Sequence, residues 1–255
     1  MNLVVPVLDL ARQDVPTTRG PAQVRLVPPR GTPRGTLLLG HGAGGSRDAA
    51  DVRALTTLSQ EGWAVLLVDQ PWRVAGRRVA TPPPTLDDAW IQVVERLSTR
   101  DEAPDGSPLP RPWVYGGRSA GARVACRTSV GSDGVAVAGV AGVLCLAFPL
   151  HPPGRPERSR AAELARPPGA GLPTLVVNGA RDPMGTPEEI AKAVDGMEML
   201  QLRSVPGTHS PTRDLAAVIG YAGEFLDGLA TGAAGDSVEA DLSPEDRPTP
   251  RSTHR

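Results

Sequence analysis

Apolar and polar residues follow two rhythms along this chain. Short, largely apolar runs over residues 4–8, 23–27, 36–39, 64–68, 113–115, 139–147, 174–177 and 199–203 have the length of strands. Several carry no polar interruption, as strands covered on both faces require. Between them, apolar residues recur at helical spacing. Val52, Leu55 and Leu58 mark a helix over 48–61, and Ile91, Val94 and Leu97 mark one over 86–97. Further helices are expected over 122–129 and 187–194. This alternation predicts an α/β domain on a doubly wound, mostly parallel sheet of about eight strands.

With 255 residues, 40% of them hydrophobic and 22% charged, the chain suits one such domain with a filled core. Its 29 glycines and 28 prolines fall mostly between the apolar runs, so they punctuate elements. Lys+Arg of 27 against Asp+Glu of 28 gives a net charge of -1, which argues against general nucleic-acid binding. Cys126 and Cys145 have neither the number for a disulfide framework nor a metal-ligand spacing, and read as buried small hydrophobes in a reducing compartment. No apolar run has the length of a membrane span, and the first residues lack the pattern of a signal peptide. A cytoplasmic protein is expected. Residues 1–230 are expected to form the domain, and the small, polar residues 231–255 a disordered tail. The Pro/Gly-framed residues 151–171 read equally as a small lid over a pocket or as a surface connection.

The strongest chemical signal is a G-x-S-x-G, Gly117 to Gly121, placed directly after a strand and before a helix. Such a turn lifts the hydroxyl of Ser119 above the sheet edge, and the N–H of Ala120 at the helix start can face a developing oxyanion. A serine hydroxyl needs a base and an orienting acid. Of four histidines, His254 lies in the tail and His41 in a glycine loop upstream, while His151 opens residues 151–171. His209 follows the last strand on a loop, which suits a base. Asp182 follows the strand at 174–177 and suits the acid, with Glu188 and Glu189 as fallbacks inside a helix. The order Ser119, Asp182, His209 is that of the α/β-hydrolases. Gly40-His41-Gly42-Ala43-Gly44-Gly45 follows another strand, where Ala43 is the expected second oxyanion donor and His41 buttresses the loop.

A rival reading takes Gly40, Gly42 and Gly45 as a dinucleotide-binding G-x-G-x-x-G, with Asp69 as the ribose acid. It leaves the serine turn, Asp182 and His209 as three coincidences. Another rival keeps the fold as a scaffold that binds a protein or metabolite without turnover. The arginines near the proposed site are Arg73, Arg77, Arg78, Arg118 and Arg123, with Arg155, Arg158, Arg160 and Arg166 in the possible lid. They read chiefly as solvated charge. Arg118 and Arg73, together with His41, Gly42 and His151, are the residues most able to contact a substrate.

The runs GHGAGG (40–45), GGRSAGAR (116–123), FPLHP (148–152) and NGARD (178–182), with His209, resemble the α/β-hydrolases related to dienelactone hydrolase. Within these the chain is similar to the subgroup of testis-expressed hydrolase-like proteins and a chromatin acetyltransferase complex subunit. The resemblance covers residues 21–229 and implies the α/β-hydrolase fold, a Ser119–Asp182–His209 triad, and no metal or organic cofactor. The activity expected is that of a serine hydrolase on a small-molecule carboxylic ester, thioester or lactone. Oligomeric state and substrate identity are not implied.

Overall fold

A computed structural model describes residues 10–44, 48–100 and 103–239. Eight strands form one sheet in the order β1-β2-β4-β3-β5-β6-β7-β8. They are β1 (Ala11–Val15), β2 (Ala22–Val27), β3 (Gly35–Gly40), β4 (Trp63–Asp69), β5 (Trp113–Arg118), β6 (Val140–Leu146), β7 (Thr174–Gly179) and β8 (Leu200–Val205). The first two pairings, β1 with β2 and β2 with β4, are antiparallel, and every later pairing is parallel.

The apolar runs become central strands because both sheet faces are covered. Alternate residues of one strand feed two different cores: Leu38 and Leu66 pack on the side of Trp90, Val124 and Ala125, whereas Leu37, Leu39, Val65 and Leu67 face Leu55, Leu58, Phe225 and Leu226. Each fully buried leucine contributes about 1.5–3 kcal/mol through removal of apolar surface from water. Cys126 and Cys145 are buried in the first of these cores with their sulfurs 3.5 Å apart.

The helices are α1 (Ala50–Ala54), α2 (Pro71–Val74), α3 (Pro83–Arg100), α4 (Ala120–Thr128), α5 (Ala161–Leu164), α6 (Arg166–Gly169), α7 (Pro187–Ala193) and α8 (Leu215–Glu239). The helix expected over 48–61 is α-helical only in α1 and continues as a 3-10 helix, Leu55–Glu61. There the hydroxyls of Thr56 and Thr57 donate to the carbonyls three residues back, at Arg53 and Ala54, which competes with the wider α-helical ladder. A capping box starts α7: Glu189 N–H donates to Thr186 Oγ1, and Thr186 N–H donates to the Glu189 carboxylate.

Three expectations change. β1 was not expected, because ARQDV sets three polar residues in a row on an exposed sheet edge, while the strand expected over 4–8 lies outside the described residues. α8 runs through 231–239, the first part of the segment expected as a disordered tail; the Thr231 hydroxyl donates to the carbonyls of Asp227 and Gly228, and small residues permit the helix to continue. Residues 240–255 lie outside the described residues. Residues 151–171 form no lid over the cleft described below. They pack beside α4, where Glu163 accepts from Arg123 and Arg127. No helix among the described residues is long and apolar enough to cross a membrane.

Candidate active site

The carboxyl ends of the parallel strands bring the candidate residues to one edge of the sheet. β5 ends at Arg118, and Ser119 adopts φ 52° and ψ -107° before α4 begins at Ala120. That conformation is costly for a residue with a side chain, by about 1–3 kcal/mol, and is held by its surroundings. The Ser119 N–H donates to the Leu146 carbonyl at 2.9 Å. The flanking glycines are dictated by closeness: a β-carbon on Gly117 would lie 2.5 Å from the Gly40 carbonyl oxygen.

His209 sits on the loop after β8. Its Nε2 lies 2.9 Å from Ser119 Oγ, and its Nδ1 lies 2.8 Å from Asp182 Oδ2. A carboxylate accepts, so Nδ1 carries the proton and Nε2 presents its lone pair to the serine hydroxyl. Asp182 is fully buried and is itself fixed, since Met184 N–H donates to its Oδ1 at 2.8 Å. Asn178, buried at the end of β7, donates from Nδ2 to the carbonyls of Phe148 and Gly185, and its Oδ1 accepts from Phe148 N–H. It thereby ties together the ends of β6 and β7 on which the acid turn is built.

Above Ser119 opens a cleft of about 680 Å³, lined by Ala43, Gly44, Ala49, Asp51, Arg118, Met184, His209, Ser210 and Thr212 among others. Ala43 lies on this lining. Ala120 N–H belongs to the first turn of α4 and has no intrahelical acceptor. Among the described residues no three or more His, Cys, Asp or Glu stand close enough to hold a metal ion.

The profile of the alpha/beta hydrolase domain family matches residues 33–212, which span β3 to the loop carrying His209. The chain belongs to the α/β-hydrolase family. Its fold is similar to that of dienelactone hydrolase from Anabaena variabilis, at 21% identity and a TM-score of 0.63 over 86% of this chain and 98% of the other. Est1E from Butyrivibrio proteoclasticus is similar at 16% identity and a TM-score of 0.66, over 87% of this chain and 99% of the other. XC6422 from Xanthomonas campestris, described as an α/β serine hydrolase without a lid, is 18% identical with a TM-score of 0.63, over 87% and 95% of the two chains. No curated protein sequence matches significantly.

The remaining candidates of this α/β-hydrolase are placed as follows. His41 is buried, its Nε2 accepting from Gln70 N–H at 3.1 Å and its Nδ1–H donating to the Gly42 carbonyl at 2.8 Å. Both nitrogens are engaged, and burial lowers its pKa below the ordinary 6.5, so it is a neutral brace for the glycine loop. A β-carbon on Gly42 would lie 2.9 Å from Arg118 Nη1, so a larger residue there would have to displace the end of the Arg118 side chain. Arg73 stacks over the Trp72 ring at 4.5 Å, away from the cleft lining. His151 lies behind the acid turn, its N–H donating to the Met184 carbonyl and its Nδ1–H to the Pro152 carbonyl. Glu189 is occupied by the α7 cap, and Glu188 shares that helix.

Asp69, the ribose acid of the dinucleotide reading, is buried and paired with Arg25 of β2 at 3.1 Å. Gly40, the first glycine of that pattern, lies against Gly117 of β5 and Gly121 of α4; Gly45 lies outside the described residues.

Two residues escaped sequence reading. Asn178 entered only as the first residue of the NGARD run, although a polar residue closing an apolar strand is a signal. Asp51, fully buried beside the cleft, pairs with Arg118 at 3.0 Å. An acid among the apolar positions Val52 and Leu55 was its only trace.

Proposed function

We propose that this α/β-hydrolase is a serine hydrolase that cleaves small carboxylic esters, thioesters or lactones through a covalent acyl-enzyme. The observation that carries this reading is the continuous hydrogen-bonded chain Asp182–His209–Ser119, with the serine raised on a strained turn above an open cleft.

Ser119 Oγ attacks the acyl carbonyl as its proton passes to His209 Nε2. Asp182 holds the imidazole in the required tautomer and stabilises the imidazolium that forms. The carbonyl oxygen becomes an oxyanion, and Ala120 N–H and Ala43 N–H are the donors proposed to stabilise it. His209 then returns the proton to the departing alcohol or thiol. A water deprotonated by His209 attacks the acyl-enzyme, and the acid leaves with Ser119 restored. The cleft is open and lined mainly by small residues, which favours a compact acyl group and tolerates varied leaving groups. A cytoplasmic setting and a single domain are part of the same proposal.

Reaction with a fluorophosphonate probe tests it. The wild-type protein is expected to be labelled at Ser119, and Ser119→Ala and His209→Ala are expected to remain unlabelled while folded. A folded wild-type protein that takes no label would overturn the hydrolase reading in favour of a non-catalytic scaffold.

A further inference from the structure

Arg118 precedes the serine, and its guanidinium reaches in two directions. Nε donates to Asp51 Oδ2 at 3.0 Å, while Nη2 donates to the His209 carbonyl at 2.9 Å and to Ser210 Oγ at 2.8 Å. Its side chain is 12% exposed and that of Asp51 0%. Asp51 Oδ1 in turn accepts from Val52 N–H at 3.0 Å.

These contacts join three segments that are far apart in sequence. Asp51 belongs to α1, just beyond the glycine loop; Arg118 closes β5 against the serine; His209 and Ser210 form the loop after β8. The charge balance decides what Arg118 can do. A substrate carboxylate would have to compete with a buried carboxylate already bonded to the same guanidinium, so anion recognition is disfavoured. The backbone of the histidine loop, by contrast, depends on it. On one side of His209, Arg181 N–H donates to the Gly207 carbonyl at 2.9 Å; the His209 carbonyl itself is held by Arg118.

Building on the serine-hydrolase reading, we infer that Arg118, charged and locked by buried Asp51, is a positioning residue that fixes the His209 backbone so that the imidazole meets Ser119 and Asp182 together. A planar fork suits this task because it holds two partners at a fixed angle, which a lysine ammonium does not. Displacement of a catalytic group by about 1 Å costs on the order of a hundredfold in rate, so removal of this anchor should be felt in chemistry rather than in binding.

The test compares Arg118→Ala, Arg118→Lys and the double variant Asp51→Asn/Arg118→Gln, which leaves no buried charge unpaired if the single variants fold poorly. Fluorophosphonate labelling of Arg118→Ala is expected to slow by roughly tenfold to a hundredfold. The loss should lie in the maximal labelling rate and not in probe affinity. Millimolar methylguanidinium should restore part of it, and lysine should restore less than the free guanidinium. The second readout needs no activity: the His209 Nδ1 proton shared with Asp182 gives a far-downfield proton resonance, expected to be sharp in wild type and broadened or lost in Arg118→Ala and in the double variant. Labelling within twofold of wild type, or an unchanged downfield proton in a folded variant, would overturn the inference. An unlabelled wild-type protein would remove the hydrolase reading, and the downfield proton would still decide whether Arg118 places His209.

Discussion

Gly121 of α4 lies directly on the carbonyl of Gly40 at the end of β3: a β-carbon at 121 would stand 2.3 Å from the Gly40 oxygen and 2.5 Å from its carbon. Both partners are backbone, so no side chain can yield. The helix that starts just after Ser119 is thereby pressed against the loop that carries the proposed oxyanion donor.

Gly121→Ala should therefore destabilise, although alanine is the better helix former by about 1 kcal/mol. A net loss on the order of 1–3 kcal/mol is expected from the enforced shift. Urea unfolding read by fluorescence checks it, and fluorophosphonate labelling should fall because Ser119 and the loop move apart. A variant as stable and reactive as wild type would contradict the close contact.

The strained turn at Ser119 gives a second expectation. Glycine accepts a positive φ without penalty, whereas alanine keeps the strain of the native serine. Ser119→Gly should unfold at a higher urea concentration than Ser119→Ala, by the equivalent of about 1 kcal/mol, with both unlabelled by the probe. Equal midpoints would mean that the backbone relaxes once the serine hydroxyl is gone.

Buried, neutral His41 ties stability to pH. Its pKa is lowered in the fold, chiefly by burial, from the ordinary 6.5. The unfolded chain therefore binds the proton first, and this contribution is complete above about pH 6.5 and lost as pH falls below it. In His41→Gln the slope of stability between pH 7 and pH 5 should flatten. His41→Ala should lose about 1–3 kcal/mol near pH 7, because Gln70 N–H is left buried without an acceptor, and less near pH 5, where the wild type has itself lost part of this contribution.

Glu163 has the opposite sign. Burial opposes its charge, but hydrogen bonds and attraction from Arg123 and Arg127 prevail and hold its carboxyl below the ordinary 4.5. Its contribution is present above about pH 4.5 and is lost as pH falls through the lowered folded value. Glu163→Gln should cost about 1–3 kcal/mol at pH 7, reduced by partial exposure, and much less near pH 3. Labelling of Ser119 should change little, since α5 packs beside α4 and not over the cleft. A large loss of labelling would show that this segment does reach the site.

The sequence is enough to predict the central parallel strands, because strands such as β4 are buried along their entire length and so leave a continuous apolar run. It also determined the serine turn, because steric demands of backbone against backbone admit only glycine at 117 and 121. The positions of Ser119 and Asp182 after strands were legible because β5 and β7 are buried along nearly their whole length, whereas β8 before His209 is half-exposed and is marked by only three apolar residues, Leu200, Leu202 and Val205. Edge strand β1 was not legible, since exposed residues on an edge carry no alternation that separates them from a loop. Nor was the extension of α8, whose small residues fit helix and coil alike. The tertiary structure alone decided that Arg118 faces Asp51 and the His209 backbone, that His41 braces Gln70, and that Asp69 answers Arg25. Local spacing registers which face of an element is buried. The partner of a buried charge is set by where distant strands end, and no local pattern encodes that.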